Sequence, residues 1–484
     1  LRLLESVLAS PRVKQVEAGE DHEAKARVAK SRQHFDAARS ALDLSDLEQA
    51  SNALDLALRE VSIATTRAGA MAAVFDPLRS FKVLAKIDGS AFVTVGARLE
   101  YTGANLVIYV DTLTPSPFSP SQLQALGDLF DKTLYPIDTT AFGPPSDADA
   151  NGKIIVLMTP KVNALVTAAT CRASGFITGY FFGFDIASSD TTKSTRGEIF
   201  YTLAPDPAGT VSCPHSVADV DRLVPATFIH ELQHMISFGQ HVLIYRGPDE
   251  DVWLNEGLSL IAEELASRYY EDKYPPPSGR TNPAQLFPDS SQTYITNNLT
   301  YAYDYLAGSR DTSITTFKDN GTLSERGGAF LFLRWLGDQK GQGVFRRLVE
   351  TNRTGIANVA AAASEPFANL FGDFGIAVYT DSLPGIPRGS IPARYRYTSR
   401  NLRQLFARLQ SIGAVGPNPF PIVLDTIAPG QARQSSMVQG TMDFFTTLTP
   451  AGESATTLRF ARPDGLVLPS SLVPQVGIFR LPQP

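Results

Sequence analysis

The stretch ATFIHELQHMISFGQH, residues 226–241, most constrains what this chain can fold into, because it holds three of the six histidines. The apolar residues on both sides of the HELQH core predict a buried helix. Residues i and i+4 lie one above the other on a helix, so His230 and His234 can both bind one metal ion at about 2.0–2.1 Å. Glu231 lies beside them, where its carboxylate can take a proton from a water molecule. The alternative is a chance HExxH pattern on a core helix whose histidines are hydrogen-bonded.

A second helical segment, VWLNEGLSLIAEELASRYY, offers a third ligand for that ion. A helix–loop–helix can fold back over the distance that separates Glu256 from His234. Glu263 lies two turns further on the same face, where it can accept a hydrogen bond from a ligand histidine and set its tautomer. The apolar residues around both glutamates argue against solvated surface charges. Two histidines, one glutamate and an open fourth position are typical of catalytic zinc sites.

Length and charge limit the class of protein. A chain of 484 residues with 43% hydrophobic and 19% charged residues is expected to form two to four domains. The net charge of −6 excludes the basic surface that nucleic acids require. No apolar run approaches the roughly 20 residues of a membrane-spanning helix. Residue 1 is Leu, and the first residues lack the blocks of a secretory signal, which says nothing about export.

Cys171 and Cys213 are the two cysteines, and both lie in loop-like segments ahead of the histidine cluster. A disulfide between them would stabilise the fold by about 4 kcal/mol. Two free thiols in a cytosolic protein are the alternative. The 33 prolines, the short polar loops and the low lysine content favour the disulfide, and with it a secreted or cell-envelope protein.

The chain divides into four regions by composition. Residues 1–70 are nearly free of glycine and proline and predict a helical hairpin, which packs on the body, binds a partner chain or is a pro-segment. Residues 71–224 are β-rich, and residues 225–385 are helical. Residues 386–484 predict a linking helix and a small β-sandwich, an appendage typical of binding modules. The fold class is therefore α+β.

A possible calcium loop lies in SDADANGKIIVLMT. Asp147, Asp149 and Asn151 alternate ahead of a glycine, and the carbonyl of Lys153 follows, as in the first half of a calcium-binding loop. Met158 stands where the bidentate glutamate would be, so a distant carboxylate would have to complete the site. The alternative is a structural turn in which the Asp and Asn side chains bond their own backbone.

Two segments, HELQHMIS and WLNEGLSLIAEEL, resemble the gluzincin metallopeptidases, and most of all the hyicolysin family of bacterial neutral zinc proteases. The resemblance extends to SDADANGKIIVLMT, GYFFGFD, GEIFYTLAPDP and SERGGAFLFLRWL, and so covers roughly residues 75–385. It implies a β-rich amino-terminal and a helical carboxy-terminal subdomain. It also implies that His230, His234 and Glu256 bind zinc. Glu231 would be the general base, and Glu263 would accept a hydrogen bond from a ligand histidine.

One position departs from the related aminopeptidase-type gluzincins. There a tyrosine precedes a Glu-Lys-Gly sequence and stabilises the oxyanion, whereas Ser324 occupies the matching position in SERGGAF. The loss of one such contact typically lowers the rate by about 10²–10³. The candidates for another donor are Tyr301, Tyr303, Tyr305, His241 and Arg326.

The sequence predicts a bacterial zinc metalloendopeptidase that acts on polypeptides, and it leaves open whether calcium is a second cofactor. One alternative is a weakly active or inactive surface or complex-associated protein that keeps the fold and docks through residues 1–70 or the β-module. It would bind zinc without turnover. A zinc hydrolase acting on a non-peptide bond is the third class, supported only by the shared metal chemistry.

Overall fold

The computed structural model describes residues 2–19, 21–43, 47–72, 75–188, 190–273, 289–448, 457–470 and 473–480. The chain forms two compact units: the first is Leu1–Asp131 with Asp147–Val220, and the second is Lys132–Ser146 with Asp221–Pro484. Among the described helices, none combines the length and the apolar character needed to cross a membrane.

The elements are numbered in chain order. Helices α1 to α5 span Arg2–Leu8, Pro11–Ala18, His22–Asp43, Leu47–Ala72 and Pro120–Leu129. Strands β1 to β6 span Leu78–Leu84, Phe92–Thr102, Leu106–Asp111, Ile154–Met158, Gly179–Phe181 and Ile199–Thr202. Helices α6 to α9 span Tyr135–Phe142, Pro160–Asn163, Ala168–Ser174 and Phe184–Ala187. Helices α10 to α17 span Val217–Phe238, Val252–Lys273, Asp289–Ala307, Leu323–Lys340, Gly343–Val349, Gly355–Ala363, Phe367–Thr380 and Leu402–Ser411. Strands β7 and β8 span Asp425–Ile427 and Phe445–Thr447.

The first residues form four helices. Helices α3 and α4 pack along each other, and the short helices α1 and α2 pack against that pair. The buried residues between the helices are Leu4, Leu8, Val13, Val16, Ala24, Val28, Ala57, Val61 and Ala64. The hydroxyl of Ser31 donates to the carbonyl oxygen of Ala57 at 2.6 Å. The two short helices thus help to cover the apolar stripe that a hairpin alone would leave exposed.

A six-stranded mixed sheet forms the centre of the first unit, in the order β1-β2-β3-β4-β6-β5. Strands β3, β4 and β6 run parallel, and the other neighbouring pairs are antiparallel. Every residue of β3 and β4 is buried, as expected for central strands that are covered on both faces. This mixture of sheet and helices agrees with the α+β class expected from the sequence.

Helices build most of the second unit. Helix α11 packs against α12 and α13, and α13 packs against α14 and α16. Trp253 and Trp335 both contact Phe332, so aromatic packing joins α11 to α13. Helix α13 begins with a capping box, in which Thr322 and Glu325 bond each other's backbone N–H groups.

The region after residue 412 differs from the expected β-sandwich. Within its described part, the strands are β7 and β8, each of three residues, and they pair in parallel. Val423, Val467 and Ile478 are 73%, 85% and 75% exposed. A sandwich buries alternate side chains between two sheets, whereas these three β-prone side chains are exposed within the described part of the chain.

Cys171, on α8, forms the expected disulfide with Cys213. Their Cα atoms lie 5.9 Å apart, within the usual range for this bond. The bond closes the loop that precedes α10. A loop of this length is expected to contribute about 4 kcal/mol by restricting the unfolded chain.

Asp185 is a buried carboxyl group in the first unit, and it makes the stability of the fold depend on pH. It accepts hydrogen bonds from the hydroxyl of Tyr201 and the backbone N–H of Thr195, both at 2.7 Å. Burial raises its pKa to about 6, although these hydrogen bonds oppose the rise. The folded protein therefore holds this proton more tightly than the unfolded chain, and stability falls as the pH rises from about 4 to about 6.

Asp185→Asn should remove that loss. Between pH 4 and pH 7 the variant should gain about 2 kcal/mol relative to the unsubstituted chain, since one pKa unit corresponds to about 1.4 kcal/mol and part of the effect is already present at pH 4. Urea unfolding at both pH values measures the difference. The same substitution at Asp190, a fully exposed carboxylate, is the control and should show no such gain. Parallel stability curves for the Asp185 variant and the parent chain would contradict the raised pKa.

Candidate metal centre

Helix α10 carries the HELQH residues. Its first turn is closed by a reciprocal pair, in which the hydroxyl of Ser216 accepts from the N–H of Asp219 at 3.1 Å and the Asp219 carboxylate accepts from the N–H of Ser216 at 3.2 Å. His230 and His234 lie one turn apart with side chains 15% and 12% exposed. Their neighbours Phe228, Ile229, Leu232, Met235 and Ile236 are fully buried. The buried side of the helix therefore fixes the position of the two imidazoles.

The two histidines meet the carboxylate of Glu256 from α11. The Nε2 atoms of His230 and His234 lie 3.1 Å apart. Oε2 of Glu256 lies 3.6 Å from the first and 3.9 Å from the second. Ligands at about 2.0–2.1 Å from a tetrahedral ion lie roughly 3.3 Å from one another. These three atoms therefore lie near the spacing at which one metal ion could bind all of them.

Each of the two imidazoles has an acceptor oxygen beside its Nδ1 atom, and this acceptor sets its tautomer. Nδ1 of His230 lies 2.7 Å from Oε1 of Glu263, and Nδ1 of His234 lies 3.1 Å from Oδ1 of Asn255. Because both partners accept, each Nδ1 carries the hydrogen and each Nε2 is left to bind a cation. Two lone pairs at 3.1 Å repel unless a cation or a proton lies between them. The donor set thus fits a metal ion by its chemistry as well as by its spacing.

Burial and neighbouring charges shift the pKa values of all three members of the cluster. Burial lowers the pKa of His230, but hydrogen bonds to Glu256 and Glu263 outweigh this effect and raise the pKa to about 10. Burial lowers the pKa of His234 to about 4. Burial would raise the pKa of Glu256, but the charge of Arg326 and the hydrogen bond to His230 lower it to about 2. These pKa shifts leave Glu256 ionised and favour a positive charge on one of the two imidazoles, His230.

Glu231 follows His230 on α10 and is 5% exposed. Its negative charge is among the influences that raise the pKa of His230. The carboxylate therefore acts electrostatically on the cluster, and its role as a general base stays a prediction.

Arg326, near the start of α13, is the cation of the site. Its Nη1 donates to Oε2 of Glu256 at 2.6 Å, and its Nη2 donates to the carbonyl oxygen of Asn320 at 2.9 Å. The guanidinium thus orients the carboxylate of Glu256. Ser324 lies one residue before Glu325, whose side chain caps α13.

Three of the candidate oxyanion donors have structural roles. The hydroxyl of Tyr303 donates to the carbonyl oxygen of Asn418 at 2.7 Å. Tyr305 is fully buried, with its ring against Gly328. His241 is fully buried too, and its Nε2 lies 3.1 Å from the carbonyl oxygen of Leu348. Tyr301 and Arg326 are the two candidates that lie beside the cluster and are partly exposed.

The expected calcium loop forms a second acidic cluster, in the first unit. Oxygen atoms of Asp147, Asp149 and Glu198 all lie within 4.8 Å of one another. The side-chain oxygen of Asn151 accepts from the N–H of Lys153 at 2.6 Å, as in a structural turn. The Lys153 amine donates to carbonyl oxygens at 2.7 and 2.8 Å. Calcium at this loop stays a prediction.

Sequence reasoning did not identify Asn255, Glu198 or the contact between Arg326 and Glu256. For Asn255, the available signal was its position directly before Glu256, a candidate ligand. For Glu198, the signal was an acidic residue directly before β6, the strand that pairs with β4 after the acidic loop. Nothing local to the sequence indicates the Arg326 contact, because it joins two separate helices.

Comparison with known proteins gives one partial relationship. No family model matches the chain. The chain is similar to the neutral metalloprotease ShpI of Staphylococcus hyicus, with 28% identity over 170 residues. The similar region covers 35% of this chain and 36% of that relative. The chain thus matches only about a third of the length of this relative, which connects it in part to a metalloprotease.

Proposed function

We propose that the protein is a zinc metallopeptidase that hydrolyses peptide bonds in polypeptides. The convergence of two Nε2 atoms and one carboxylate oxygen on a partly exposed face supports this most directly. His230, His234 and Glu256 would hold the ion. Zinc in such a site supplies a Lewis acid and makes a bound water acidic. The similarity to a neutral metalloprotease supports the same chemistry.

Other residues of the chain position the ligands and transfer the proton. Glu263 and Asn255 accept from the Nδ1 atoms of the two histidines and keep their Nε2 atoms facing the ion. Arg326 holds the carboxylate of Glu256 in place. The carboxylate of Glu231 takes a proton from the attacking water and passes it to the nitrogen of the leaving amine.

Metal content and proteolysis test this proposal together. The purified chain should hold one zinc ion, measured by atomic absorption. It should cleave casein, an unfolded substrate, and a chelator should abolish the cleavage until zinc is restored. Zinc without cleavage would instead favour the binding-protein alternative. A chain without zinc, or cleavage that resists the chelator, would contradict the proposal.

We also propose that the protein acts outside the reducing cytoplasm. The disulfide between Cys171 and Cys213 is of a kind that persists in oxidising compartments. A secreted or cell-envelope location is consistent with degradation of external polypeptides.

A further inference from the structure

Two glycines bring three helices together beside the histidine–glutamate cluster. A Cβ atom on Gly257 would lie 3.1 Å from the Cβ atom of Ala329, so α11 and α13 cross closely next to Glu256. A Cβ atom on Gly327 would collide with the carbonyl carbon of Tyr301, so α13 and α12 cross next to Arg326. The backbone contact at Gly327 admits only glycine, whereas a side chain at position 257 would require Ala329 and Leu333 to shift. The two crossings place the backbone of Tyr301 against the residue that follows Arg326.

Asn298, about one turn before Tyr301 on α12, joins this helix to α11. Nδ2 of Asn298 donates to the carbonyl oxygen of Leu260 at 3.0 Å, and the Asn298 side chain is also hydrogen-bonded to Glu263. Residues three apart lie on the same face of a helix. Asn298 and Tyr301 therefore share the face of α12 that lies toward the metal ligands and their supporting glutamate.

The phenol of Tyr301 is available for a further interaction. The side chain is partly exposed, and no hydrogen bond engages its hydroxyl among the described residues. Burial raises its pKa, the charge of Glu263 raises it further, and the charge of Arg326 lowers it. Both charged groups belong to the metal cluster, so the phenol lies beside that cluster and keeps its proton at neutral pH.

The other candidate donors are hydrogen-bonded elsewhere or buried away from solvent. Tyr303 is bonded to Asn418, and Tyr305 and His241 are fully buried. Arg326 donates from Nη1 to Glu256 and from Nη2 to Asn320, and its Nε is buried, so its guanidinium already serves to orient Glu256. Tyr301 is the candidate whose donor is uncommitted and solvent-accessible.

We propose that Tyr301 is a catalytic residue, whose phenolic hydroxyl donates a hydrogen bond to the carbonyl oxygen of the scissile peptide as negative charge develops there. This inference rests on the proposed peptidase function and names one further residue of that site. A donor that acts mainly in the transition state affects kcat more than KM. A tyrosine from α12 would thus supply the contact that Ser324 on α13 lacks.

Tyr301→Phe tests the proposal, because it removes the hydroxyl and keeps the ring. We expect kcat on a fluorogenic peptide to fall by about 10²–10³, with KM nearly unchanged and one zinc ion retained. Tyr303→Phe, at a structural hydroxyl two residues away, is the matched control and should keep kcat. Tyr301→His, which keeps a donor, should recover part of the loss.

A second measurement does not depend on turnover. A peptide phosphonate, which presents a tetrahedral anion, should bind the zinc-loaded Tyr301→Phe chain at least 10-fold more weakly than the parent chain. An uncleaved peptide bound to the Glu231→Gln background should bind equally well with and without the Tyr301 hydroxyl.

The outcomes separate this inference from the proposed function. Equal phosphonate affinity for Tyr301→Phe and the parent chain overturns the inference, whether or not the parent chain cleaves peptides. Parent-like kcat in the variant overturns it too. Loss of zinc or of thermal stability in both Tyr301 variants makes the residue structural and overturns the inference. A parent chain that binds no zinc overturns the proposed function, and the inference falls with it.

Discussion

Glu231→Gln is expected to abolish cleavage of casein while the chain keeps its zinc. Glutamine nearly matches glutamate in shape, but it cannot accept a proton at neutral pH. General acid–base groups contribute roughly 10²–10⁴ to the rate. Because Glu231 is proposed to act on both the water and the leaving amine, kcat should fall by about 10⁴, the upper end of that range. His230, His234 and Glu256 are unchanged in the variant, so the metal content should stay the same.

The measurement needs both kcat and zinc stoichiometry on the same sample. Glu100→Gln is a control, since Glu100 is a partly exposed glutamate that pairs with Arg98 at 3.3 Å in the first unit. It should leave both values unchanged. Parent-like cleavage by the Glu231 variant would reject Glu231 as the general base. Loss of zinc together with activity would assign it to metal retention instead.

Arg334→Met should cause the largest loss of stability, because it breaks a buried ion network in the second unit. Arg334 is 1% exposed, and it donates to Glu264 at 2.9 Å and to Asp338 at 3.1 Å. Arg400 also donates to Glu264, at 2.8 Å. Removal of one partner from a buried pair typically costs about 3–5 kcal/mol, because the other charge stays buried without its compensation. The Tm should fall by roughly 6–20 °C for a unit of this size.

Calorimetry on the variant and on Arg346→Met measures the effect. Arg346 is the matched control, since it pairs with Glu350 on the surface at 2.7 Å with its side chain 46% exposed. Surface pairs contribute less than about 1 kcal/mol. Similar Tm values for the two variants would show that the buried network is not stabilising.

The pH dependence of the Arg334→Met effect follows from Glu264. Burial would raise the pKa of Glu264, but the charges of Arg334 and Arg400 lower it to about 2. The folded pKa lies below the ordinary value, so this contribution is complete above about pH 4.5 and is lost as the pH falls toward 2. The difference between the parent chain and the variant should therefore narrow in acid.

Much of the fold class could be predicted from local patterns. Helical periodicity in HELQHMIS and WLNEGLSLIAEEL indicated the segments that became α10 and α11. The buried runs at Leu106–Asp111 and Ile154–Met158 became central strands. The expected β-sandwich at the carboxy terminus shows the limit of this approach. Short β-prone runs separated by turns occur there, but strand pairing depends on partners distant in sequence, and two three-residue strands pair in the described part.

In the candidate site, too, some features could be predicted from local spacing and others depend on tertiary packing. The i, i+4 spacing of His230 and His234 is a local property of the helix, so the sequence alone was enough to predict that they share a face. The choice among five oxyanion candidates was not local. Tyr301 and Tyr303 are two residues apart on one helix, yet one lies against Gly327 and the other bonds Asn418. Only the packing of α12 separates them.

The sequence by itself determined which side chains are proposed to carry the chemistry: two histidines one turn apart, the glutamate between them, and the WLNEG helix with its own glutamates. The tertiary structure decided how those groups are oriented and supported. It placed Asn255 and Glu263 behind the imidazoles, and it placed Arg326 on Glu256. A helix repeats every 3.6 residues, so the spacing of residues in the sequence predicts which side chains share a face. The close helix crossings at Gly257 and Gly327 depend on the packing of the whole unit.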